Sequence, residues 1–231
     1  MVPRWDAIVF DVDGTLYHAW VVRSEMALRL AGRTIQSPRR GARTIAVLRA
    51  YRQALEALRQ PGLVRGTVRG AQLEETARRS GVTVAEVGAI VDHWFMAVPS
   101  QSLLRARRPH LVSCLARARA LGIRLAVMSD YEPTRKLQAL DIAGFFDVVV
   151  HADDPDVRAL KPSPRGIEVV LNRLGVAPSR AAYVGDRRDV DVLAAERAGV
   201  TPVLLRRAQA SGTITVSGFR ALAGLLADAV R

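Results

Sequence analysis

The stretch Phe10-Asp11-Val12-Asp13-Gly14-Thr15-Leu16 puts two carboxylates two residues apart, directly after an apolar run. Further along, Ser129-Asp130 follows an apolar run at 123–128. Lys161 sits in Leu160-Lys161-Pro162, and Asp186 follows a run at 181–185, with Asp189 and Asp191 just downstream. Carboxylates gathered from such places repel one another, and their pKa values rise. A hard divalent cation removes the conflict. Magnesium takes oxygen ligands and keeps positions open for water and phosphate oxygens, so it is the cofactor this grouping predicts. Magnesium implies a phosphoryl ligand, and Lys161 offers a compact positive charge for the same oxygens. Phosphoryl transfer demands positioning and charge neutralisation more than basicity, so Asp11 in line with phosphorus can serve as nucleophile. Asp13, two residues on, suits a general acid for the leaving group and then a base for water. Gly14 lets the backbone turn sharply and brings amides toward a phosphate.

Such residues meet only if the fold carries them to one edge. Residues 6–12 read as a short buried strand ending at Asp-Gly. After Pro109 the pattern alternates: helix 109–121, strand 123–128, helix 133–140, strand 147–150, helix 163–174, strand 181–185, helix 189–198, strand 202–205 and a last helix over 218–230. Strands alternating with helices of about ten residues predict an α/β fold, a Rossmann-like parallel sheet covered on both faces. Right-handed crossovers then bring every strand's C-terminal end to one edge, where ligands bind.

Residues 17–105 differ. Apolar residues there recur at helical spacing, and Gly and Pro divide the segment into four helices. Ser24 is a candidate cap for the first. Pro38 opens the second, which runs through Tyr51 to Leu58 before Pro61-Gly62 ends it. Gly70 and Gly81 bound the third, and Thr83 with Glu86 forms a capping box for the fourth. The expected architecture is a catalytic core from 1–16 and 106–231, with an all-helical cap inserted at 17–105.

Composition narrows the class. Of 231 residues 49% are hydrophobic, which allows a sizeable core. No run of about eighteen apolar residues suggests a membrane span, and Asp6, Asp11 and Asp13 interrupt any signal-peptide pattern, so a cytoplasmic location is expected. The single cysteine, Cys114, fits a helical apolar face with Leu111, Leu115 and Ala118, and reads as a buried hydrophobe. The net charge is +12, and residues 17–108 hold 16 Arg against 6 acidic residues. A basic segment of this kind can steer anionic substrates. It also raises the alternative of a nucleic-acid-binding or scaffold protein on an inactive fold. No aromatic-interleaved basic stripe accompanies it, so nucleic acid is not the expected partner.

The motifs together resemble the haloacid dehalogenase superfamily in its helical-cap branch. Asp11-Val12-Asp13-Gly14-Thr15-Leu16 resembles its first motif, Ser129 the second, Lys161-Pro162 the third, and Gly185-Asp186 with Asp189 and Asp191 the fourth. The resemblance implies Asp11 as nucleophile and metal ligand, and Asp13 as acid/base with its backbone carbonyl on the metal. Ser129 and the following amide would hold the phosphoryl group, with Gly14, Thr15 and Asp130 beside it. Lys161 would neutralise charge, Asp186 would complete the metal's protein ligands, and Asp189 or Asp191 would support from behind. Asp130 stands where Asn is common, and its side chain is expected to turn from the phosphate. The implied activity is magnesium-dependent hydrolysis of a small organic phosphate monoester, such as phosphoglycolate, a sugar phosphate or a nucleotide, by a monomer or homodimer. A phosphomutase is the alternative using the same aspartates. A haloacid dehalogenase is the other, and it would need neither magnesium nor Asp13.

Overall fold

A computed structural model of the protein describes residues 5–60, 62–97, 102–206 and 212–228. The chain forms two compact units: Met1–His18 with Arg107–Arg231, and Ala19–Ala106.

The first unit is built on a six-stranded, all-parallel sheet. In chain order the strands are β1 (Ala7–Phe10), β2 (Arg124–Ser129), β3 (Val148–His151), β4 (Ala181–Gly185), β5 (Thr201–Leu205) and β6 (Ile214–Val216), arranged β3-β2-β1-β4-β5-β6. The order reverses between β1 and β4, and a parallel sheet offers its ligand crevice at the C-terminal ends of such a pair. Both faces of the sheet are covered, which is why its strands read as continuous apolar runs. Side chains alternate across it. Ala7, Val9, Ala126, Met128 and Tyr183 pack against Ile167, Val170 and Leu171 of the helix at Arg165–Leu174. Phe10 turns to the opposite face, where its ring lies 6.3 Å from that of Phe219.

The second unit is helical: α1 (Ala19–Gln36), α2 (Pro38–Leu58), α3 (Val68–Ser80), α4 (Val84–Val91), a π-helical turn at Asp92–Ala97, and α5 (Leu103–Ala106). No strand occurs among its described residues. Val47, Tyr51, Ala54 and Leu58 of α2 are buried, and the Gln72 amide donates 2.8 Å to the Tyr51 carbonyl, so the buried side chain is satisfied. Thr67 caps α3 by accepting from the Gly70 amide at 3.0 Å. Thr83 caps α4 by accepting from Glu86 at 3.2 Å.

Several expectations need correction. Ser24 is no cap: α1 starts at Ala19, and the Ser24 hydroxyl donates to the Val21 carbonyl one turn back. Gly70 lies inside α3, not at its start. Pro61 lies outside the described residues. In the first unit the remaining helices are α6 (Leu111–Ala120), α7 (Thr134–Ala139), α8 (Arg165–Leu174), α9 (Leu193–Arg197) and α10 (Phe219–Asp228). The expected helix at 189–198 is a π-helical turn at Arg188–Val192 running into α9. Strand β6 is unannounced by the sequence, because three residues are too few to show a period. The units part at residues 18/19 and 106/107, one or two residues later in the chain than the expected 16/17 and 105/106. Tyr17 and Arg107 form an antiparallel bridge, and the Arg108 amide donates to the Leu16 carbonyl, which ties both ends to the α/β unit.

Candidate active site

Asp11 follows β1, Ser129 ends β2 and Asp186 follows β4, so all three lie at the crevice edge of the sheet. The Asp11 carboxylate is buried. Its Oδ2 accepts from the Thr15 hydroxyl at 2.9 Å, and its Oδ1 accepts from Lys161 Nζ at 2.6 Å. The same ammonium donates to Asp191 Oδ1 at 2.7 Å and to the Tyr183 hydroxyl at 3.0 Å, and Tyr183 donates on to the Met128 carbonyl. Lys161 is itself only 2% exposed, so each of its three donors has an acceptor inside the protein. Asp191 Oδ2 accepts the backbone amides of Asp186 and Arg187 at 3.1 and 3.0 Å, fixing the turn after β4.

Two glycines are required here. Gly14 has φ +96°, and a Cβ on it would collide with the Asp186 carboxylate. A Cβ on Gly185 would collide with the side chain of Asp191. The acids can approach the backbone this closely only because those side chains are missing.

One oxygen each from Asp11, Asp186 and Asp191 lies within 4.8 Å of the others. Burial pushes Asp11 up to about 8; Lys161 partly offsets this, while Asp191 and Asp186 add to it. Burial, reinforced by Asp191, lifts Asp186 to about 6, against the pull of Lys161 and Arg108. Burial alone would discharge Lys161, but Asp11 and Asp191 hold it firmly protonated. One ammonium thus faces three carboxylates, a deficit of positive charge in a donor set made only of oxygens. That fits a hard divalent cation.

A second cluster surrounds Asp13. Lys136 Nζ donates to both of its oxygens at 2.6 Å, and the Tyr17 hydroxyl donates to Oδ1. Lys136 also lies 5.4 Å from the centre of the Tyr131 ring. Burial tends to raise the Asp13 pKa, but Lys136 and Tyr17 overcome it and hold the group below the usual carboxylate value. The Asp13 carboxylate is thus held by Lys136 and Tyr17, with Lys161 of the first cluster adding to the pull at longer range.

The family model for haloacid dehalogenase-like hydrolases matches residues 5–199, which takes in every residue of both clusters. The chain belongs to that family. It is 29% identical over 211 residues to a glyceraldehyde 3-phosphate phosphatase of Methanopyrus kandleri, covering 87% of this chain and 84% of that protein. It is 38% identical over 99 residues to the phosphoglycolate phosphatase of Escherichia coli (strain K12), a match over 41% of this chain and 38% of that one, so less than half of either. Among solved structures, an L-2-haloacid dehalogenase from Xanthobacter autotrophicus superposes with a TM-score of 0.62 at 24% identity, over 96% of this chain and 98% of that one. That likeness establishes the shared haloacid dehalogenase-type fold. The curated relatives in the family are phosphatases, and the chain is an enzyme of that kind.

Within this hydrolase the structure brings Asp11, Thr15, Lys161, Asp186 and Asp191 together and leaves Asp189 out. Asp189 is exposed and pairs with Arg187 at 2.6 Å. Ser129 is buried, and its Oγ accepts from the Tyr131 amide at 3.2 Å. Asp130 accepts from the Lys161 backbone amide at 3.1 Å, so its side chain serves the Lys161 loop.

Sequence reasoning missed four residues of the site. Lys136, on α7, clamps Asp13. As the only lysine besides Lys161 in an arginine-rich chain, it carried a signal that pointed to a site, though not to which residue it meets. Tyr17, directly after the Asp11–Leu16 motif, donates to Asp13. Arg108 donates to the Gly14 carbonyl at 2.7 Å and lay hidden among many arginines. Nothing in the pattern marked Tyr183, a buried strand residue like its neighbours.

Proposed function

We propose that the enzyme hydrolyses small organic phosphate monoesters at this edge, through a phosphoryl group carried transiently on Asp11. The observation that supports the reading is the buried group of Asp11, Asp186, Asp191 and Lys161 at the ends of β1 and β4.

A magnesium ion held by Asp11, Asp186 and the Asp13 backbone carbonyl would supply charge neutralisation for the phosphate oxygens. The chain's own groups do the rest. Asp11 attacks phosphorus, an O–P bond forms to its carboxylate, and the ester O–P bond breaks. Asp13 manages the proton. Protonated, it donates to the departing alkoxide. Ionised, as Lys136 and Tyr17 hold it in the unliganded chain, it takes a proton from the water that attacks phosphorus. That attack releases inorganic phosphate and restores the Asp11 carboxylate. Lys161 balances charge on Asp11 and on the phosphate throughout, with Asp191 fixing its position. Ser129 and the amide after it are suited to hold the phosphoryl oxygens. The helical unit leaves and rejoins the α/β unit at residues 18/19 and 106/107, next to Tyr17 and Arg108.

The substrate class extends to phosphorylated three- and two-carbon acids and aldehydes, in line with the names of the curated relatives. The test is phosphate release from a panel that includes glyceraldehyde 3-phosphate and 2-phosphoglycolate, with magnesium and with EDTA. Asp11→Asn should lower kcat by about 10³-fold or more while keeping the fold. Turnover by that variant at the wild-type rate would end the proposal.

A further inference from the structure

The outer face of α1 is built unlike a solvent face. At about 100° per residue, Trp20, Ser24, Ala27, Leu28, Ala31 and Ile35 fall within an arc of about 100°. All six are exposed, and none is charged. Trp20, Leu28 and Ile35 are 69%, 75% and 81% exposed. The opposite face of the same helix buries Val22 and Met26. The arginines Arg23, Arg29 and Arg33 stand beside or behind the uncharged strip. α1 is therefore apolar on two sides, and among the described residues only one of them is buried.

The pattern of the strip is self-complementary. A two-fold axis passing between Ala27 and Leu28, with two copies of α1 antiparallel, sets Trp20 against the second copy's Ile35. It also sets Ser24 against the second copy's Ala31, and Ala27 against its Leu28. Each large residue meets a residue of the strip, and the small ones lie near the middle, where helix axes approach most closely. No charged residue falls on this seam. We propose that this face of α1 is an interface with a second copy of the chain.

The extent of the strip sets the strength. Three large apolar side chains and their small neighbours from each copy cover on the order of 1,000 Å² in total, at the low end for specific pairs. The dimer is accordingly concentration-dependent. Charge sets its salt response. The helical unit holds 14 Arg against 6 acidic residues, so two such units repel, and added salt screens that repulsion and strengthens the pair. Attraction to an anionic surface such as a phospholipid bilayer would respond the opposite way.

Sedimentation velocity on the full chain across a wide concentration range, at low and high salt, reads this directly. The expected result is a monomer–dimer equilibrium that shifts toward dimer at high salt. Leu28→Glu and Ala31→Glu should each remain monomeric throughout, with melting curves that match those of the dilute, monomeric wild type. Geometry is read by oxidative cross-linking against a silent background, since Cys114 is buried. Ala27→Cys, beside the axis, should cross-link to itself. Ser24→Cys, displaced about 10 Å along the helix from its own copy, should cross-link only when mixed with Ala31→Cys. A chain that stays monomeric at every concentration would overturn the proposal. So would a dimer indifferent to Leu28→Glu, self-cross-linking of Ser24→Cys, or a monomer that instead binds anionic phosphatidylglycerol vesicles through this face.

Discussion

The two units of this enzyme treat water in opposite ways. The α/β unit takes charge out of water: Asp11, Lys161 and Asp191 are all buried. The helical unit leaves apolar surface in water: the large exposed hydrophobics among the described residues, Trp20, Leu28, Ile35, Leu63, Val84 and Leu104, all belong to it. Its charges form surface pairs such as Arg43 with Glu86 and Arg69 with Asp92. Burying charge is costly unless every group is paired, and leaving apolar groups exposed forgoes burial energy. Each departure from the usual partition marks a surface shaped for something outside the chain. In the α/β unit, under the proposed function, that something is a cation and a phosphate.

The comparison can be broken most severely at Lys161. Lys161→Met removes the one ammonium that Asp11 and Asp191 share in the buried cluster, leaving buried carboxylates uncompensated. Chemical denaturation should show a loss of about 3–5 kcal/mol, partly recovered when Asp191→Asn is added. The matched change on the other unit, Leu28→Ser, should alter stability by no more than about 0.5 kcal/mol, because that side chain is 75% exposed.

Magnesium and pH sharpen the contrast. Asp11 at about 8 and Asp186 at about 6 both lie above the ordinary carboxylate value of 3.8. A carboxylate raised by folding contributes stability that is complete below its unfolded pKa and is lost as pH climbs through the folded one. The metal-free chain should therefore lose stability from this cluster between about pH 4 and pH 8. A cation that neutralises the cluster restores most where most was lost. The magnesium-induced rise in Tm should be larger at pH 8 than at pH 5, a difference that thermal melts with magnesium and with EDTA will measure.

A smaller effect is expected at Lys136. Lys136→Met removes the main force holding Asp13 below the usual carboxylate value, so the basic limb of the pH profile of kcat/KM, which reports Asp13 as the proton donor, should move to higher pH. An unmoved limb would separate Lys136 from the proton chemistry.

How much of this was legible in the sequence follows from the range of the forces involved. The parallel strands declared themselves because burial on both faces leaves uninterrupted apolar runs, as in Ala7–Phe10 and Ala181–Gly185. The cap at Thr83 and the helix start at Pro38 were equally local. The aspartates at the strand ends were readable because strand direction alone sends them to one edge. Side-chain partners were not. Lys136 lies 123 residues from Asp13 and reaches it because α7 packs beside the β1 loop, a fact with no trace in local period. Asp189 and Asp191, two residues apart and alike in sequence, were separated by a π-helical turn that carries one to Lys161 and the other into solvent.

The sequence by itself determined which residue types reach the edge of the sheet, since hydrophobic period and turn chemistry act over a few residues. Tertiary structure alone decided which of those groups touch, which are buried and how far their pKa values move. Those properties depend on distances of a few ångströms between segments far apart in the chain.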